Sequence, residues 1–179
     1  YPQAMAAARR RQSDLLTAAV EAQGGRVFKE VGDELCCSFE DPLRALHAAV
    51  TGQVSLAGEP WPQELLPFGV RMGLHIGRPF IDKTAFDGRE EYGGPPVNRV
   101  ARTMSCAHPG QIVVSQTLED IARPLLPPEI ALCDLGEYSF KGLPIPSMSF
   151  NLDTLIWQLS FPLSTRRRFD VTEVGSAPA

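Results

Sequence analysis

Apolar positions recur at helical spacing through residues 4–22, where Leu15, Leu16, Ala19 and Val20 share one face and Gly24-Gly25 stops the run. This predicts an amphipathic helix with a glycine C-cap. Residues 26–30 and 34–39 are short β-prone runs joined across Val31-Gly32-Asp33, which suits a tight hairpin. Asp41-Pro42 opens a second helix with Leu43, Leu46, Ala49 and Val50 on one face, continuing to about residue 57. Three prolines mark residues 58–67 as a loop. Residues 68–76 read as a strand buried at Val70, Met72 and Leu74, residues 78–94 as a polar exposed arm or loop, and residues 97–106 as a helix. After a turn at His108-Pro109-Gly110, a strand is expected over 111–115, a helix over 116–126, and strands over 130–140 and 147–152. The order indicates an α+β fold with helices packed on a mainly antiparallel sheet. Past residue 152 the pattern fades, so residues 1–152 form one domain and 153–179 a C-terminal tail or linker.

Composition narrows the functional classes. With 179 residues, 44% of them hydrophobic, the chain can bury one core. Lys+Arg 17 against Asp+Glu 21 gives a net charge of -4, which disfavours nucleic acid or an anionic membrane as partner. No apolar run approaches the roughly 20 residues of a membrane span. Four cysteines, two of them the adjacent Cys36 and Cys37, have neither disulfide-framework nor zinc spacing. They read as small buried hydrophobes in a reducing, cytoplasmic compartment. The chain starts at Tyr1 without a charged leader and reads as a piece of something longer. His75 on its strand reads as structural, and His47 and His108 lack metal-ligand spacing. Arg9-Arg10-Arg11 and Arg166-Arg167-Arg168 read as solvated helix and tail, and Trp61 as a local packing residue. No phosphate-binding loop of the Gly-x-x-x-x-Gly-Lys-Ser/Thr kind is present.

Three clusters carry candidate chemistry. In Val27-Phe28-Lys29-Glu30-Val31-Gly32-Asp33-Glu34, a hairpin would bring an ammonium and a carboxylate to one end of a sheet, one to grip a polar ligand and one a hard cation. A solvated turn with a stray charge pair fits that spacing too. In Glu91-Tyr92-Gly93-Gly94-Pro95-Pro96-Val97-Asn98-Arg99-Val100-Ala101-Arg102, Asn98 and Arg102 are four residues apart on one helical face. Such an amide and guanidinium could orient a sugar hydroxyl and stabilise phosphoryl charge, or simply line a polar helix surface. The third cluster, residues 134–143, is a strand and turn presenting Lys141, which alone reads as an ordinary exposed lysine.

Taken in order, these clusters resemble the class III nucleotidyl cyclase catalytic domain, the adenylyl and guanylyl cyclase family. The resemblance runs from about residue 4 to 152, through Gly24-Gly25-Arg26-Val27-Phe28-Lys29, Gly32-Asp33-Glu34, residues 70–77, Val97-Asn98-Arg99-Val100-Ala101-Arg102, Gly110-Gln111-Ile112, Asp134-Leu135-Gly136 and Lys141-Gly142-Leu143. It implies a ferredoxin-like fold and a homodimer with composite sites at the interface. The implied reaction is attack of a nucleoside triphosphate's ribose 3′-hydroxyl on its own α-phosphate, giving a 3′,5′-cyclic monophosphate and pyrophosphate. Two divalent ions, Mg²⁺ or Mn²⁺, would be held by two aspartates, of which Asp33 matches the second. Lys29 matches the base-reading lysine and Glu91 the second base-reading position. Asn98 matches the ribose-orienting asparagine, Arg102 the transition-state arginine, and Lys141 the lysine on the triphosphate tail. Fusion to regulatory domains would suit such a module.

The base-reading assignment has its own chemical logic. Adenine offers an acceptor at N1 and a donor at its exocyclic amine, which a lysine and a carboxylate complement; guanine reverses the pattern. Lys29 with Glu91 therefore favours ATP over GTP. Two departures stand out. The family's first metal aspartate lies on a strand ahead of the first helix, and that motif is absent from this sequence, so one metal ligand and the central strand are missing and the chain alone should be inactive with an uncovered strand edge. Glu91 also stands where Asp is more usual. The alternative is a catalytically silent cyclase-homology domain that binds nucleotide or dimerises to regulate an attached domain.

Overall fold

The computed structural model describes residues 1–82, 91–126, 130–138 and 154–160. Helix α1 spans Pro2–Ala22 and ends where Gly24, at φ 71°, turns the chain so that Gly25 N–H reaches the Val20 carbonyl at 2.9 Å. Strands β1 (Arg26–Val31) and β2 (Glu34–Ser38) pair antiparallel around Gly32-Asp33, with Gly32 at φ 66°. Their register shifts between Val27 and Lys29, which leaves Phe28 in a bulge. Helix α2 (Pro42–Gly58) starts where sequence places it: the Asp41 carboxylate accepts from the Leu43 and Arg44 N–H groups at 2.8 and 3.4 Å. Trp61 then packs locally, stacked on Phe68 at 4.1 Å with its indole N–H on the Leu56 carbonyl.

The remaining elements are β3 (Met72–Leu74), β4 (Phe80–Asp82), β5 (Glu91–Gly93), α3 (Pro95–Ser105), β6 (Ile112–Ser115), α4 (Gln116–Ala122), β7 (Ala131–Tyr138) and β8 (Thr154–Ser160). The main sheet has the order β3-β6-β8-β7, with β3 parallel to β6 and β8 antiparallel to both its neighbours. The hairpins β1-β2 and β4-β5 form separate two-stranded sheets. Strand β6 is the core of the molecule. Ile112 and Val114 pack with Leu46, Leu118 and Ala122, whereas the intervening Val113 packs with Ala107 on the opposite face. A strand covered on both faces reads as a nearly continuous apolar run, as Ile112-Val113-Val114 does, and the buried Ser115 that ends it has a polar partner in His75.

This α+β architecture follows the sequence pattern in element order, and four details differ. The expected strand over 68–76 is only three residues long and its Met72 and Leu74 are half-buried, because among the described residues β3 has a single strand neighbour. Residues 78–94 are not simply a loop: β4 and β5 pair across them, Ile81 opposite Tyr92 and Asp82 opposite Glu91. The helix over 116–126 tightens into a 3-10 turn at Arg123–Leu125, since Pro124 has no N–H to continue the ladder. Finally, Thr154–Ser160 is a strand of the main sheet although it falls within the expected tail; residues 147–152 and Lys141 lie outside the described residues.

Helix α3 lies unusually close to β3. A Cβ placed on Gly73 would come within 2.5 Å of the Met104 backbone nitrogen and 2.7 Å of its Cα. Glycine is what allows the helix backbone to rest on the strand, and this contact sets the height of α3 above the sheet.

Candidate functional site

Two residues far apart in sequence meet on the face formed by β1 and β5. The Lys29 ammonium donates to Glu91 Oε2 at 2.7 Å, with both side chains partly exposed. The hydrogen bond from Lys29 and then the charge of Glu91 hold the lysine above its ordinary pKa, against a small desolvation effect. An exposed ion pair contributes little to stability in water. One mutual hydrogen bond uses only part of what each group offers: the ammonium keeps further donors and the carboxylate further acceptors.

Next to this pair, Tyr92 docks on β1. Arg26 donates to the Tyr92 hydroxyl at 2.9 Å, its guanidinium carbon lies 5.3 Å from the ring centroid, and Phe28 meets the ring edge-on at 5.0 Å. Nothing in the sequence pattern singled out Tyr92, an aromatic residue in a segment that reads as polar. The alternation of Arg26 and Phe28 along β1 was the available signal.

Asp33 sits exposed on the β1-β2 turn. Its carbonyl accepts from Gln12 Nε2 of α1 at 3.2 Å, and Gln12 is itself buried. Among the described residues no three His, Cys, Asp or Glu side chains gather as a metal site. Asp33 thus belongs to no such group there, and the described residues do not by themselves fit a two-ion centre, for which several hard oxygen ligands must converge. Asn98 and Arg102 lie one turn apart on α3, Asn98 exposed and Arg102 half-buried. Gly94 at φ 93° followed by two prolines starts that helix, and the Asn98 N–H bonds the Gly94 carbonyl at 3.2 Å. The structure thus joins Lys29 to Glu91 by contact and Asn98 to Arg102 by helix position.

Burial disfavours the thiolate form of Cys36 and Cys37. Cys36, opposite Lys29 in the hairpin register, is pushed up by burial and by the Glu34 charge, and burial pushes Cys37 up to about 12. The cysteines are less buried than expected: Cys36, Cys37 and Cys106 are half-buried and Cys133 is exposed.

His75 is structural, as its strand setting implies. Its Nδ1 lies 2.8 Å from Ser115 Oγ, tying the ends of β3 and β6 together. Burial, and then the Arg99 charge, depress its pKa below 6.5. The unfolded chain therefore binds the proton more readily than the folded one. Stability is fully present above pH 6.5 and falls as the pH drops from there through the folded-state value. Urea titrations across pH 7.5 to 5 should show this decline, and His75→Gln should remove the part that His75 causes.

Comparisons place this architecture. The chain is 32% identical over 162 residues to an adenylate cyclase of Podospora anserina, a match covering 78% of this chain and 8% of that protein. It is 31% identical over 154 residues to an uncharacterized protein of Mycobacterium tuberculosis, covering 84% of this chain and 49% of the relative. The chain therefore spans under a tenth of the fungal protein and about half of the mycobacterial one. Among solved structures, an adenylate cyclase of Trypanosoma brucei in its monomeric state superposes with a TM-score of 0.76 at 19% identity, covering 92% of this chain and 82% of that one. The adenylyl cyclase of P. aeruginosa gives 0.65 at 20% identity, with 89% and 84% covered. At such identities these structures speak to the fold. No family model matches the chain.

Proposed function

Given that the chain is a relative of the class III nucleotidyl cyclase catalytic domains and carries their fold, we propose that it is an adenylate cyclase-type domain that converts ATP to 3′,5′-cyclic AMP and pyrophosphate as a homodimer. The observation that supports a base-reading pair is the 2.7 Å contact between Lys29 and Glu91. The choice of adenine follows from assigning Lys29 to N1 and Glu91 to the exocyclic amine, in the order that the family resemblance implies, since the reverse order would complement guanine.

In this reading the ribose 3′-oxygen forms a bond to the α-phosphorus while the bond to the bridging oxygen breaks. The electron pair leaves with pyrophosphate, and the 3′-hydroxyl proton goes to solvent or a nearby base. Asn98 orients the ribose, and Arg102, one turn further along α3, meets charge that grows on the phosphoryl oxygens. Lys141 is assigned to the triphosphate tail. Mg²⁺ or Mn²⁺ belongs to the reading as a source of charge neutralisation. Asp33 alone does not complete such a site, so a second carboxylate is required. That no metal-ligating group forms among the described residues is also the observation that favours the second reading, a silent cyclase-homology domain that binds nucleotide without turning it over.

Nucleotide binding separates the base assignment from both readings of activity. Calorimetric titration with ATP and GTP should give tighter binding of ATP. Lys29→Ala and Glu91→Ala should each narrow that preference by roughly 5- to 100-fold, the range expected for one lost base-edge contact. Equal or better binding of GTP by the unaltered chain would overturn the assignment.

A further inference from the structure

The pairing of Lys29 with Glu91 needs an explanation of its own, because among the described residues no backbone ladder joins their strands. Strand β5 pairs with β4, β1 pairs with β2, and the two hairpins are separate sheets. The β4-β5 hairpin has three residues on each strand, and a two-stranded ribbon of that size does not hold a fixed position by itself. Ile81, opposite Tyr92 in that ribbon, is more than half exposed and adds little burial.

We propose that Tyr92 is the positioning residue that holds Glu91 at Lys29, with Arg26 and Phe28 of β1 as its clamp, and that purine selectivity depends on this clamp. The inference rests on the base-reading assignment above and adds the residue that maintains it. Three contacts converge on Tyr92: the hydrogen bond from Arg26 to its hydroxyl, the guanidinium near its ring, and the perpendicular Phe28 ring. They differ in kind, so together they restrict both the rotation and the height of the tyrosine, as one hydrogen bond alone would not. The bulge at Phe28 contributes as well. By adding one residue to β1 between Val27 and Lys29, it changes which side chains of the strand share a face. The register sets Arg26 opposite Ser38 and Lys29 opposite Cys36, so the bulge brings Arg26 and Lys29 onto one face of β1, where Arg26 reaches Tyr92 and Lys29 the adjacent Glu91. Two neighbouring residues of β5 are read by one short stretch of β1. Lys29 faces Glu91 from β5 and Cys36 from β2, and of these the carboxylate raises its pKa most.

The test reads the ion pair directly by NMR titration of the Lys29 side chain in the full 179-residue chain, beside ATP and GTP affinities. Glu91→Gln sets the lysine titration without the carboxylate charge. In Tyr92→Ala the Lys29 titration should fall to that of Glu91→Gln, and the ATP preference should shrink several-fold. Tyr92→Phe, which keeps the ring and its contact with Phe28, should fall part of the way and restore most of the preference. A folded Tyr92→Phe and Tyr92→Ala pair whose Lys29 titration matches the unaltered chain would overturn the proposal. Should Tyr92→Ala not fold, an unchanged titration in Tyr92→Phe together with Arg26→Ala would overturn it equally. Failure of the unaltered chain to prefer ATP would sink the base-reading assignment instead, while the titration still decides whether Tyr92 places Glu91.

Discussion

Replacing Arg102 with alanine is expected to lower the cyclisation rate on the order of 10²-fold or more, with little change in ATP affinity. Cyclisation requires almost no covalent chemistry from the protein. Charge spreads over the phosphoryl oxygens and the departing pyrophosphate, so a guanidinium held at the right point acts mainly in the transition state. Arg102 suits that work because α3 fixes its base: the helix rests on β3 at Gly73, and the carbonyl of Arg102 itself accepts from Ser105 Oγ at 2.6 Å. Lysine should not restore the rate, since a point charge cannot reproduce the planar fork. The measurement is kcat and KM for ATP in a form that supplies the second metal carboxylate. A rise in KM with kcat unchanged would mean that Arg102 grips the ground state instead.

Gly73→Ala is expected to destabilise the fold by about 3 kcal/mol, the upper part of the range for overpacking a tight contact. The obstacle is the Met104 backbone, which cannot swing aside as a side chain would. Either the helix rises from the strand or β3 shifts in its pairing with β6, where Gly73 lies opposite the fully buried Val113. Both moves disturb the core. For a chain of this length the melting temperature should drop by about 10 °C. Gly58→Ala is the control, because a Cβ there meets nothing within 4 Å, and it should leave the melting temperature nearly unchanged. Lifting α3 also moves Asn98 and Arg102, so any Gly73→Ala protein that folds should lose turnover too.

Local signals explain why so much of the element order is legible in the sequence. Asp41-Pro42 before α2, Gly24 after α1 and Pro95-Pro96 at the start of α3 act within a few residues of themselves, and each lies at the boundary it indicates. Lys29, Glu91, Asn98 and Arg102 were singled out by the family resemblance, and their spacing alone fitted an ordinary polar surface too. What escaped the sequence depends on partners distant along the chain. The brevity of β3 reflects a single neighbour, Ile112 to Val114, and no periodicity records which edge of a strand is covered. The sheet membership of Thr154–Ser160 is likewise decided by β6 and β7 on either side. Tyr92 looked unremarkable because Arg26, its hydrogen-bond donor, is 66 residues away. Gln12 escaped for the same reason: a buried amide on a helix gains meaning only once the Asp33 carbonyl is beside it.

The central claim is that this domain makes a cyclic purine nucleotide and chooses ATP. The most direct measurement is product analysis after incubation with ATP or GTP in Mn²⁺ or Mg²⁺, on the protein with a second metal carboxylate supplied and with Arg102→Ala alongside. Cyclic AMP and pyrophosphate should form in equal amounts from ATP, less product should form from GTP, and the Arg102→Ala protein should form almost none. A folded, dimeric protein that binds ATP yet releases no cyclic product would contradict the account and leave the silent regulatory domain in its place.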